Sequence, residues 1–371
     1  MSGATATRVR RELTVERLGV GAYTIPTDAP ESDGTIEWDS TTIVVVEARG
    51  GGEIGLGYTY ADASAAALVT ERLAPLVCGL DATAVPHAWE RMVGAVRNIG
   101  RPGIASTAIA AVDSALWDLK ARLLGIPLVA LLGLVRDRVE LYGSGGFTSY
   151  SDAQLERQLG GWAEDGFGSV KMKIGREPAL DPMRVGVARA AIGATRLMVD
   201  ANGALERKQA LALAERFAEL DVVWFEEPVS SDDLAGLRLL RDRAPAGMEI
   251  AAGEYGYDLP YFRRLLDAGA VDVLQADATR CAGITGFLRT GALCEAYGIP
   301  LSAHTSPALH LHPCCAVGPL RDLEYFHDHA RIERLLFDGV VEPLGGELTP
   351  DLDRPGNGLE LKRADAARYA A

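Results

Sequence analysis

Eight side chains between residues 171 and 324 could hold a metal or move a proton: Lys171, Lys173, Asp200, Glu226, Glu254, Asp277, His304 and Glu324. They lie in or just after short apolar runs: SVKMKIG, RLMVDAN, VVWFEEP, EIAAGE, VDVLQAD, IPLSAHT and LRDLEYF. From Lys173 onward they recur every 20 to 28 residues, about one strand plus one helix. A carboxylate at the end of an apolar strand is costly to desolvate unless it is paired or binds a cation. Asp200, Glu226 and Glu254 therefore need a positive partner. Three hard oxygen ligands that leave room for water and substrate suit Mg²⁺ better than Zn²⁺, which favours nitrogen and sulfur. One Mg²⁺ per subunit is the expected cofactor. Alternation along a strand puts Lys171 and Lys173 on one face and sets Glu226 and Glu227 on opposite faces, so only one of those glutamates should reach the ion. Taken singly, each of these residues reads as an interior ion pair or a solvated loop charge. Their recurrence once per unit points to a site.

Something must bring them together. After Arg138, eight apolar runs beginning with VELYGSGG alternate with helical stretches, the pattern of a closed parallel barrel. All strands then run the same way, and their C-terminal ends meet at one rim. LRDLEYF is followed by no convincing full helix. Upstream, TTIVVVEA and EIGLGYTY flank Gly50, Gly51 and Gly52 as a hairpin would. Ile109, Val112, Leu116, Leu119 and Leu123 mark a long amphipathic helix from Ile104, stopped by Gly125 and Pro127. The expected organisation is an α+β domain over residues 1–136, a barrel over 137–345, and a Pro/Gly-rich segment over 346–371 that folds back on the first domain.

Bulk properties narrow the function. Fifty-one acidic against 37 basic residues give a net charge of −14, and no Lys/Arg-rich run could track a phosphate backbone, so nucleic acid is not an expected partner. The opening MSGATATRVRRELTVE lacks an apolar leader and no long uncharged apolar stretch follows, so no membrane association and a cytoplasmic location are expected. The five cysteines form no C-x-x-C pair and read as reduced thiols. GSGGF at Gly143 to Phe147 lacks a dinucleotide-binding context, and no G-x-S-x-G elbow is present. Trp117 and Trp224 lie in apolar patterns and read as core. The pairs His310/His312 and His327/His329 have no thiols at zinc spacing and read as structural or as supporting the residues that touch the ligand.

At VKMKIG, MVDAN, WFEEP, AAGE, QADATRCAGITG, SAHTS and LEYF the chain resembles the mandelate racemase subgroup of the enolase superfamily, over nearly its whole length. The resemblance implies an α/β fold: a (β/α)7β modified TIM barrel, an N-terminal α+β capping domain, and a C-terminal segment returning to the cap. Carried over residue by residue, it makes Asp200, Glu226 and Glu254 the metal ligands and Lys173 a base on one face of the substrate. Lys171 and Glu324 hold the substrate carboxylate, Asp277 and His304 pair on the opposite face, and Asn202 contacts substrate. Arg280 stands where the subgroup often has lysine, and Cys281-Ala282-Gly283 where a Gly-Gly pair is common.

Such a set abstracts the proton α to a carboxylate, and the resulting enediolate must be stabilised electrostatically. A protonated Glu324 and a neutral Lys173 of depressed pKa are expected for those roles. The implied outcome is dehydration of an acid sugar to a 2-keto-3-deoxy acid. Racemisation, epimerisation or cycloisomerisation of a 2-hydroxy or sugar acid is the alternative. A non-catalytic metal- or partner-binding barrel is the reading from another class, and intact Lys173 and His304 argue against it. The partner is then a small-molecule carboxylate, and the resemblance adds a homo-oligomer. Specificity is expected in a lid loop from Thr24 to Ser40.

Overall fold

The computed structural model describes residues 13–371. The opening segment read as lacking an apolar leader lies largely outside the described residues. No helix among the described residues is long and apolar enough to cross a membrane.

Three antiparallel strands, β1 (Arg17–Ser32), β2 (Glu37–Gly50) and β3 (Glu53–Tyr60), form a cap sheet in the order β1-β2-β3. The β2–β3 turn is Gly51-Gly52, with φ of 60° and 87°. A two-residue turn with positive φ at both centres suits glycine, as the hairpin reading required. In β2 the side chains alternate: Val44 and Val46 join one core cluster with helix α1 (Ile104–Leu123), while Ile43 and Val45 join the barrel's cluster. The run TTIVVVEA is apolar throughout because both faces of the sheet are covered. Helix α1 lies so close to β3 that a Cβ on Gly57 would sit 2.3 Å from the Ala111 carbonyl oxygen.

The stretch expected as a lid loop is mostly strand. β1 runs to Ser32 and β2 begins at Glu37, and Asp33 closes the short connection by accepting from the Thr35 and Ile36 amides at 2.6 and 2.8 Å. Pro26 and Pro30 are tolerated because β1 is an outer strand, where its register against β2 also shifts between Pro26 and Glu31.

Eight parallel strands follow: β4 (Val139–Gly145), β5 (Ser169–Lys173), β6 (Arg196–Asp200), β7 (Val222–Glu226), β8 (Glu249–Ala252), β9 (Val273–Ala276), β10 (Leu301–Ala303) and β11 (Leu320–Phe326). Each pairs with the next, and β11 closes on β4. The fold is the expected modified TIM barrel with an α+β cap. Helix α2 (Ile284–Tyr297) follows β9 and α3 (Pro307–Ala316) follows β10.

One expectation fails here: β11 leads straight into a ten-residue helix, α4 (His327–Leu336). Its buried face carries Asp328, His329 and Glu333 beside Ala330, Ile332 and Leu336, so polar residues interrupt the apolar stripe that would have revealed it. Two of them are satisfied by the cap, Asp328 by the Thr41 hydroxyl and Glu333 by the Tyr58 hydroxyl, each at 2.5 Å. Beyond α4, Glu347–Leu348 pairs antiparallel with β4 and Glu360–Leu361 pairs with Phe337–Asp338. The Asn357 amide donates to Asp118 of α1, and the Ala371 amide to the Ala22 carbonyl of β1 at 3.0 Å.

Candidate functional site

The barrel strands place every residue singled out above at one rim. Lys171 and Lys173 lie on β5, Asp200 ends β6, Glu226 ends β7, Glu254 and Asp277 follow β8 and β9, His304 follows β10, and Glu324 lies on β11. Lys173, Asp200 and Glu226 are register partners across three adjacent strands. All eight side chains are buried.

One carboxylate oxygen each from Asp200, Glu226 and Glu254 lies within 4.8 Å of the others. Lys171 Nζ is 2.7 Å from Glu226, 2.8 Å from Glu324 and 3.7 Å from Asp200. Lys173 Nζ is 2.5 Å from Asp200 Oδ2. His304 Nδ1 is 2.9 Å from Asp277 Oδ2, and its Nε2 is 3.3 Å from Glu254 Oε2 and 3.7 Å from Glu324 Oε2. Glu227, the other glutamate of the pair, has its backbone turned by a φ of 36° and stays out of the three-carboxylate group.

The donor set fits a hard divalent cation. Its atoms are all carboxylate oxygens, and burial followed by the nearby Asp200 pushes the Glu226 carboxyl up to about 8. Glu254 Oε2, though near His304, has no aligned donor. Acceptors buried without donors want a cation.

With protein groups alone as neighbours, two charges stand opposite to the states expected beside Mg²⁺. Burial opposes a charged Lys173, but Asp200 outweighs it and raises the amine above its ordinary value, where a depressed one was expected. Burial likewise favours a neutral Glu324, yet Lys171 and His304 together hold its carboxyl down to about 2, where a protonated acid was expected. In both cases the sequence could not tell how closely an opposite charge would sit. His304 is pushed up to about 9 by Glu254 and Glu324 against its burial.

Supporting contacts hold this rim rigid. His310 of α3 lies behind the site: its Nε2 accepts from the Ala278 amide at 2.8 Å and its Nδ1 faces the Thr305 carbonyl at 2.8 Å, bracing the loops of Asp277 and His304. That matches its structural reading. Five of the six described non-glycine residues with positive φ, namely Asn202, Glu227, Ala282, Thr305 and Ser306, sit in the loops after β6, β7, β9 and β10. Backbone strain of this kind persists where the surroundings over-determine it.

A cavity of about 390 Å³ opens over these groups. Lys173, Asn202, Glu254, His304 and Glu324 form its floor side, and Trp38, Tyr60 and Asp62 reach it from the cap. His329, read from sequence as structural or as a support to the site, also lines it, stacked on Tyr60 with ring centroids 3.4 Å apart. Tyr60, Asp62 and Tyr255 were not singled out either. The available signal for His329 was its place just past the end of the eighth strand.

Residues 25–133 match the family model described as mandelate racemase / muconate lactonizing enzyme, N-terminal domain, and residues 154–366 match enolase C-terminal domain-like. The chain is 32% identical to a 3,6-anhydro-alpha-L-galactonate cycloisomerase of Streptomyces coelicolor, covering 96% of this chain and 99% of that one. The crystal structure of a mandelate racemase/muconate lactonizing enzyme-like protein from Rubrobacter xylanophilus superposes with a TM-score of 0.95 at 59% identity, over 96% of this chain and all of that one. L-talarate/galactarate dehydratase from Salmonella typhimurium, crystallised with Mg and L-lyxarohydroxamate, gives a TM-score of 0.87 at 29% identity, over 96% and 93%.

Proposed function

Because this chain belongs to the mandelate racemase / muconate lactonizing enzyme family of the enolase superfamily, we propose that its rim cavity removes the α-proton of a sugar acid with the help of Mg²⁺ and eliminates water to leave a 2-keto-3-deoxy acid. The protein is an enzyme of the hydro-lyase or isomerase type, as its named relatives are. The observation that carries the proposal is the trio Asp200, Glu226 and Glu254 within 4.8 Å, flanked by a lysine pair on one side and an Asp–His pair on the other.

In this reading Asp200, Glu226 and Glu254 hold the ion. Mg²⁺ held by these three carboxylates would neutralise them and would stabilise negative charge developing on the substrate carboxylate. Lys171 is kept protonated by Glu226 and Glu324 and stabilises the same charge. Glu324, facing both Lys171 and His304, orients the substrate carboxylate. Lys173 takes the α-proton on its face once Asp200 is engaged elsewhere, since Lys171 then disfavours a second cation. His304 is carried by β10, three strands from β5 one way round and five the other. Asp277 accepts a hydrogen bond from His304 Nδ1–H and stabilises the imidazolium, so the Nε2–H faces the substrate and gives its proton to a departing β-hydroxyl, which leaves as water. Asn202 binds substrate hydroxyls through its free Oδ1.

The same pair of groups permits reprotonation from the opposite face or ring opening, and the cycloisomerase relative favours keeping that second reading. Proton NMR in D₂O with Mg²⁺ and a sugar-acid panel separates them. Dehydration yields a 2-keto product, whereas the second reading yields α-deuterated or isomeric acid without it. Absence of α-exchange across the panel would defeat both.

A further inference from the structure

The reactive end of the cavity is anchored by Lys171, Lys173 and the three carboxylates, so the far end of any bound acid points to the cap. Among the described residues lining the cavity, the only Lys or Arg side chains are Lys173 and Arg280. Lys173 belongs to the reactive end. Arg280 is committed: its guanidinium lies 3.6 Å from Glu254 Oε1 and 3.7 Å from Asp277 Oδ2, and over the Tyr255 ring at 5.4 Å. Both of those carboxylates belong to the reactive end, and Arg280 is held there with them. His329 adds no charge at the cap end, because burial holds it neutral.

What the cap does offer is acceptors. Asp33 and Asp62 both line the cavity. Asp33 uses Oδ1 to close its turn, and Asp62 uses Oδ1 to take the Ser64 amide at 2.8 Å. The Ser64 side-chain and backbone bonds keep Asp62 below the usual carboxylate range. The second oxygen of Asp33 is left to accept from ligand hydroxyls, the exposed Asp62 carboxylate has room for a further donor, and Thr41 and Tyr60 add neutral polar groups.

Resting on the proposed reaction, we infer that the substrate is a monocarboxylic polyhydroxy acid and that Asp33 and Asp62 select against a dicarboxylic one. A second carboxylate at the cap end would lose water beside two like charges with no free cation among the described residues in return. Hydroxyls there donate to the same oxygens at no such cost.

The test uses the full-length protein with saturating Mg²⁺ and pairs of six-carbon acids of matched configuration, gluconate against glucarate and galactonate against galactarate. Binding is followed by calorimetry and α-exchange by NMR in D₂O. The better monoacid is expected to bind at least about tenfold more tightly than its diacid. The exposed substitution Asp62→Lys should shift that ratio towards the diacid by about tenfold. Equal or tighter diacid binding by the wild type, or no monoacid binding at all, overturns the inference. Tighter monoacid binding with no α-exchange by any acid upholds the selectivity and defeats the proposed reaction, whereas α-exchange with diacids preferred does the reverse.

Discussion

Lys173 and His304 reach the cavity from opposite parts of the rim, and each proposed proton-transfer role makes a separate prediction. Lys173→Ala should lower α-exchange on one stereochemical face by roughly 10²–10⁴-fold, and His304→Asn should do so on the other, both retaining Mg²⁺ affinity. Glu226→Gln should instead weaken Mg²⁺ by at least about tenfold, read by calorimetry without substrate. Equal loss of metal in all three variants would sink the role assignment. The residue types were legible in the sequence because each polar group interrupts or ends an apolar strand, a costly placement that calls for a reason. Their charge states were not. Lys173 depends on a 2.5 Å approach to Asp200, and Glu324 on the proximity of Lys171 and His304, distances that no spacing rule contains.

The cap sheet and α1 meet through backbone contact at Gly57, and that contact is testable. Gly57→Ala would drive a methyl into the Ala111 carbonyl and the Ala115 amide, both 2.3 Å from the new Cβ. A loss of about 3 kcal/mol by urea denaturation is expected, with partial loss of cap packing. Gly94 near the end of the Val85–Ala95 helix makes the contrast, since nothing lies within 4 Å of its Cβ position. Gly94→Ala should stabilise by about 0.5–1 kcal/mol. Strand and helix periodicity announced β2, β3, α1 and the eight barrel strands. It failed for β1, whose prolines and polar residues look like a loop until an outer strand position excuses them. It failed too for α4, whose inward face is half polar.

Cap and barrel are joined by buried polar contacts whose strength depends on pH. The Tyr58 hydroxyl of β3 and the Ala308 amide of α3 both reach Glu333 of α4, at 2.5 and 3.0 Å. Burial pushes the Glu333 carboxyl from 4.5 up to about 8. The folded protein therefore holds this proton more tightly than the unfolded chain. The contribution is fully present below about 4.5 and is lost as pH rises to about 8. Glu333→Gln, which keeps the shape and cannot ionise, should flatten that fall, so that the variant gains on the wild type between pH 5 and about 8 in urea midpoints. An unchanged slope would show that Glu333 is not the titrating group. At this scale the sequence alone determined the class of chemistry and the barrel that carries it, because strand-end charges and period-two apolar runs are local properties written residue by residue. Only the tertiary structure decided how the cap meets the rim and that His329, Tyr60 and Asp62 line the cavity with the catalytic candidates. It also decided which charges neutralise one another. Those facts are distances between residues far apart in the chain, and electrostatic energies follow distance and burial, not order along the sequence.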